Sequence, residues 1–169
     1  MRPTTFTLDR PGPGRLSTMA RPRGGEELAR ELATLSRAGV DVLVCLLTDD
    51  ELVELGLEGE ADAARDAGLE LIRMPVPDLT VPPVGQALAL ARRLAGRLAR
   101  GAEVVVHCRA GVGRSSVLAA AVLVCEGVPE EQAWALITMA RGLQVPDTEE
   151  QRAYVAHLAE VHRDLHREA

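Results

Sequence analysis

The residues with the most chemistry to offer lie together, in His107-Cys108-Arg109-Ala110-Gly111-Val112-Gly113-Arg114-Ser115-Ser116. A cysteine that ends a strand and faces the start of a helix has its thiolate stabilised by the helix dipole and by orphan backbone N–H groups. Gly111 and Gly113 allow the backbone from Arg109 to Arg114 to turn its N–H groups inward, a nest for a tetrahedral oxyanion. Arg114, six positions after Cys108, can fold back and clamp two oxygens of that anion through its planar fork. Ser115 can bond the cysteine sulfur and so favour thiolate as a leaving group. Nucleophile, cradle and clamp on one short loop point to attack on a phosphate ester. The loop lacks the closing Gly-Lys-Ser/Thr of a nucleotide-binding loop.

Such a loop needs a strand before it and a helix after it. Glu103 to His107, with Val104-Val105-Val106, predicts a buried strand, and Arg114 to Glu126 predicts a helix apolar nearly all round. Val40 to Leu47 and Leu69 to Met74 predict two more strands. The Gly/Pro-rich first two dozen residues predict short strands joined by turns. Helices are predicted from Glu26 to Gly39, from an N-cap at Thr48, over Pro83 to Arg100, over Pro129 to Arg141 with the proline near the first helical position, and over Thr148 to His166. Strands alternating with helices imply an α/β fold with parallel pairing. Ligands then bind beyond the carboxyl ends of the strands, just after Leu47, Met74 and His107.

The Cys108 segment resembles the signature loop of the cysteine-based protein tyrosine and dual-specificity phosphatases, His-Cys-(five residues)-Arg-Ser/Thr, with every defining position filled by His107, Cys108, Arg114 and Ser115. The resemblance implies a phosphatase fold: a mostly parallel central sheet of about five strands flanked by helices, with the cysteine loop at its middle. It implies hydrolysis of phosphate monoesters through a phosphocysteine intermediate, phosphorylated proteins or peptides as substrates, and phosphate or an analogous oxyanion in the loop. No cofactor and no metal are expected. Arg109, Ala110, Gly111, Val112, Gly113 and Arg114 are the expected phosphate binders, with His107 orienting the loop. Asp78, in Pro75-Val76-Pro77-Asp78, resembles the family's general acid. Asp49 and Asp50 also follow a strand end, and a first-turn helix position explains them without catalysis. Gln151, or Gln144, is the candidate for aligning the hydrolytic water, although Val145-Pro146-Asp147 departs from the pattern of the large tyrosine phosphatases. Arg21 and Arg23 are candidates for the substrate mouth, and Cys45 for a disulfide that protects Cys108 from oxidation.

Two rival readings share this loop. An inositol-phosphate or phosphoinositide phosphatase would carry extra basic residues inside it, and Arg109 supplies one while Val112 does not. A phosphopeptide-binding pseudophosphatase would have lost its chemistry, whereas Cys108, Arg114 and Asp78 are all present.

Composition fits this picture. The 169 residues, 47% hydrophobic and 26% charged, predict one domain over the whole chain. A net charge of −6 and 2% aromatics argue against a nucleic-acid surface. No apolar run reaches the roughly 18 residues of a membrane span. The start of the chain lacks a signal-peptide stretch, and three cysteines at wide spacing fit a reducing compartment, so a cytoplasmic location is expected. Basic residues that are all Arg suggest a GC-rich, bacterial genome. His162 and His166 stand four apart on the last helix, without a third metal ligand in sequence.

Overall fold

The computed structural model describes residues 3–168. Five strands form one sheet: β1 (Phe6–Thr7), β2 (Arg15–Met19), β3 (Val42–Cys45), β4 (Glu70–Arg73) and β5 (Glu103–His107). Their order is β1-β2-β5-β3-β4, with every pair parallel except the edge pair β1–β2. The helices are α1 (Leu28–Arg37), α2 (Asp49–Glu54), α3 (Glu60–Ala67), α4 (Val84–Ala99), α5 (Arg114–Cys125), α6 (Glu130–Arg141) and α7 (Glu149–Glu168). None of the described helices is long and apolar enough to cross a membrane.

The central strand β5 carries Cys108 at its carboxyl end, and α5 follows at once. Strand alternation sends Val104, Val106 and Cys108 to one face and Val105 and His107 to the other. The first face packs on α5, which is buried from Arg114 to Val124 and is itself covered by α4, α6 and α7. That enclosure explains why α5 has no polar stripe. The second face carries Leu43, Cys45 and Leu47 from the β3 segment and is covered by Leu28, Leu32 and Leu35 of α1 and Ala64 of α3.

The predicted elements are present, with three differences. The strands are shorter than the apolar runs, because Leu46 and Leu47 are buried beyond the ladder of β3. Pro129 is the N-cap of α6 rather than its first residue. Helix α3 is new. Its apolar side consists of alanines, with Ala64 buried and Ala63 and Ala67 partly so, and the sequence therefore has no leucine periodicity to reveal it.

Candidate active site

Cys108 lies 2% exposed with its Sγ 3.3 Å from Ser115 Oγ. In the thiolate form the hydroxyl donates to sulfur. The loop between them can form because of its glycines. Gly111 has φ of +73°, and a Cβ there would lie 2.8 Å from Ala20 N and Met19 C. Arg141 fastens the outer side of the loop, donating from Nε to Gly111 O (3.1 Å) and from Nη2 to Ala110 O (3.3 Å).

Arg114 is buried and held on both sides. Its Nη1 donates to Glu51 Oε1 and to Val76 O, each at 2.7 Å, and its Nη2 donates to Glu51 Oε2 at 2.9 Å. The same Nη2 lies 3.2 Å from Asp78 Oδ1. Nε has no protein partner. Glu51 has a second task, in the capping box of α2: its backbone N–H bonds Thr48 Oγ1 (3.3 Å) and its carboxylate accepts from Thr48 N (3.1 Å). The hydrogen bond from Arg114, with lesser help from Thr48, overcomes burial and lowers the Glu51 pKa to about 2.

Asp78 sits on the turn Pro77–Thr80, closed by Thr80 N to Pro77 O at 3.1 Å. Its Oδ1 also accepts from Leu79 N at 2.9 Å. Leu79 holds φ of +66°, a left-handed conformation costly for a branched side chain. Asp78 thus closes a turn and at the same time lies against Arg114. Asp49 instead pairs with Arg73 at 2.7 Å, and Asp50 is exposed.

Gln151 is fully buried. Its Oε1 accepts from Asp147 N (3.0 Å) and Thr148 N (3.1 Å), while its backbone N–H bonds Thr148 Oγ1 (3.0 Å). Its Nε2 has no partner and lies 2.9 Å from where a Gly113 Cβ would stand. Gln144 is exposed and borders a surface groove with Trp134 and Arg152. The geometry thus separates the two glutamines. It also brings in Asp147, whose Oδ2 lies 2.3 Å from that same Cβ position. Only a glycine at 113 permits the approach. Partial burial, reinforced by the charge of Asp78, raises the Asp147 pKa, with Arg114 opposing.

His107 is fully buried on the other face. Its Nε2 is 2.6 Å from Glu60 Oε2, and its Nδ1 is 3.2 Å from Cys108 O. Cys45 is its register partner on β3, and the Cys45, Glu60 and His107 ligand atoms lie within 4.8 Å of one another. Two of these atoms, His107 Nε2 and Glu60 Oε2, share the 2.6 Å hydrogen bond. The expected approach of Cys45 to Cys108 is not found. Cys45 shares the face of His107, and Cys108 belongs to the opposite one, because adjacent residues of a strand alternate. All three cysteines are free.

At the rim, Arg109 pairs with Glu54 (2.9 Å) and more distantly with Glu51 (3.8 Å). Arg21 and Arg23 line a cavity of about 260 Å³ with Phe6, Glu31 and Arg141. Arg21 N bonds Arg109 O (3.1 Å), which ties this cavity to the loop, whereas Arg23 is engaged by Glu27 (2.8 Å) and Glu31 (3.5 Å). The His162 and His166 rings lie 4.3 Å apart and tilted by 49°, with no third metal ligand found among the described residues.

A strand-end cysteine, a glycine-bearing loop, a buried arginine at the helix start and a turn-borne aspartate stand together here, as the resemblance to the cysteine-based phosphatases implies. Residues 17–128 match the family model described as "Tc-R-P: Polymorphic toxin system, DSP-PTPase phosphatase", and the chain belongs to that family. It is similar to cyclin-dependent kinase inhibitor 3 of Rattus norvegicus, 24% identical over 130 residues that cover 76% of this chain and 61% of that protein. The chain therefore spans about three fifths of that relative's length. Its fold resembles that of a kinase associated phosphatase with the catalytic-site cysteine replaced by serine, with TM-score 0.85, 18% identity, and 96% and 97% of the two chains covered. It also resembles Tk-PTP in its active form, with TM-score 0.74, 30% identity, and 87% and 92% covered.

Proposed function

We propose that this chain hydrolyses phosphotyrosine in proteins, with phosphoserine or phosphothreonine as further substrates, through a phosphocysteine intermediate. The observation that carries this reading is the buried guanidinium of Arg114, fixed by Glu51 and Val76, with Nε left to an anion in the Cys108 loop. The N–H groups of Arg109 to Arg114 complete the cradle. The Cys108 thiolate attacks phosphorus, and Asp78 gives its proton to the departing oxygen. Water then attacks the phosphocysteine, the P–S bond breaks, and the Ser115 hydroxyl stabilises the returning thiolate. Asp147 and the unpartnered amide of Gln151, side by side above Gly113, orient this water, and Asp147 takes up its proton.

Arg109 is the one extra basic residue of the loop, is drawn toward Glu54 and Glu51, and has apolar Val112 rather than a second base beside it, where an inositol-phosphate substrate would rely on more. We further infer one functional domain over residues 1–169, a bacterial origin and action in a reducing, cytoplasmic compartment, in keeping with three free cysteines. The test is turnover of p-nitrophenyl phosphate with chelator present, followed by a panel of phosphopeptides and inositol phosphates. Turnover of phosphotyrosine peptides above the inositol phosphates is expected. The reverse ranking, or binding of phosphopeptides without turnover, would overturn the reading.

A further inference from the structure

Behind the nucleophile, at the carboxyl edge of the sheet, the strands place a row of side chains in register: Met19, His107, Cys45 and Arg73. Glu60, the first residue of α3, caps this row. Its Oε2 meets His107 Nε2 at 2.6 Å, and both side chains are shut off from solvent, at 2% and 0% exposure. The other oxygen, Oε1, is buried without a partner. Arg73 is turned outward to Asp49 Oδ1 and to Leu47 O (2.6 Å), and its charge reaches Glu60 only through space. Burying a carboxylate with a bare oxygen is costly unless a charge stands beside it. The groups facing His107 are thus Glu60 from α3, Cys45 from β3 and Cys108 along its own chain.

Phosphate chemistry in the proposed mechanism does not need Glu60, which lies on the far face of the sheet from the Cys108 sulfur. Yet its partner His107 is the residue before the nucleophile, and His107 Nδ1 reaches the Cys108 carbonyl oxygen. We propose that Glu60 is a positioning residue that keeps His107 as an imidazolium, so that a fixed positive charge sits behind Cys108 and favours its thiolate. Burial works against that charge, and hydrogen bonds with Cys45 and Glu60 outweigh it, raising His107 above its ordinary value. Glu60 is held below its own by His107, again against burial. The two shifts describe one ion pair, locked in a medium where screening is weak.

The inference rests on Cys108 being the reactive thiol, so the experiment reads thiolate formation without requiring turnover. Alkylation of Cys108 by iodoacetamide is followed against pH by mass spectrometry of its peptide, in the wild type, Glu60→Gln, Glu60→Asp and Cys45→Ala. The midpoint in Glu60→Gln should move alkaline by about one pH unit, and Cys45→Ala, which removes the other group bonded to His107, should move it in the same direction. Glu60→Asp, which keeps the charge on a shorter arm, should recover part of the shift. In the same samples, the His107 ring signals by NMR should stay those of an imidazolium at pH 8 in the wild type and change in Glu60→Gln. An unmoved midpoint in folded Glu60→Gln would reduce Glu60 to a packing role. An acid-ward move would mean that the carboxylate acts on Cys108 directly as a like charge. If Glu60→Gln does not fold, a neutral His107 signal in the wild type at pH 8 overturns the proposal on its own. Absent turnover with an intact wild-type alkylation profile would instead count against the phosphatase reading.

Discussion

His107 and Cys108 are consecutive residues with opposite surroundings. His107 faces a dry compartment under α3, where it meets a carboxylate, a thiol and leucines. Cys108 opens onto a rim of charges in which Asp78 is half exposed and Arg109 pairs with exposed Glu54. A one-residue step along a strand thus divides the site into a sealed back and an open front. Electrostatics differ accordingly: charges at the back are few, paired and poorly screened, and those at the front compete with water and salt. On the proposed mechanism, the nucleophile is tuned from behind and supplied with protons and substrate from in front.

The division is broken most completely at its centre. Cys108→Ser should lower kcat by about 10³-fold or more, because a hydroxyl lacks the thiolate's reactivity. It should still bind vanadate or tungstate, since the loop amides and Arg114 remain. Loss of oxyanion binding together with turnover would mean that the sulfur organises the loop.

The two front carboxyls come next. Asp78→Asn should reduce the burst of leaving-group release from poor leaving groups by about 10²-fold. It should spare esters whose leaving group needs little protonation. Asp147→Asn should leave the burst intact and slow the steady state that follows, because it acts on breakdown of the phosphocysteine. A reduced burst in Asp147→Asn, with normal Asp78→Asn, would exchange the two roles.

The front of the site was easier to read from sequence than the back. Cys108, Arg114 and Ser115 announce themselves by spacing within one loop, and Asp78 by following a strand end. The Thr48 cap was legible as well, but it gave Glu51 a sufficient local reason to exist. That Glu51 also grips Arg114, 63 positions away, is set only when β3 lies beside β5. Glu60 was hidden twice, on an alanine-faced helix and 47 positions from His107. Asp147 lies in the very segment that departs from the large tyrosine phosphatases, and Gly113 reads as loop flexibility until the close approach is seen. The expected Cys45–Cys108 bridge failed because strand adjacency alone does not say which face a side chain takes.

Glu51 lies where back and front meet, and its substitution separates stability from chemistry. Glu51→Gln leaves the buried Arg114 charge with only the half-exposed Asp78 beside it and should destabilise the fold by about 3 kcal/mol. Because the folded-state pKa of Glu51 is depressed from an ordinary value near 4.5 to about 2, its contribution is fully present above that ordinary value. It is lost as pH falls through the interval toward 2. Denaturation midpoints measured from pH 6 downward should therefore converge between wild type and Glu51→Gln in acid. A constant gap across that range would assign the loss to geometry rather than charge.

The smallest effect is expected at the rim, and there it tests the contrast by salt. Arg109 is two-fifths exposed and its Glu54 partner three-fifths. Exposed pairs of this kind contribute little to stability. Arg109→Gln should leave the denaturation midpoint nearly unchanged and raise KM for an anionic phosphopeptide by about threefold at low ionic strength. The backbone N–H at this position survives the substitution, so the oxyanion cradle is retained and kcat should hold. Near 0.5 M salt, where the screening length falls to only a few ångströms, the KM difference should vanish. The alkylation shift of Glu60→Gln, set by a pair that water does not reach, should persist at the same salt concentration. If both effects fade together, the back of the site is as well screened as the front, and the sheet does not divide them electrostatically.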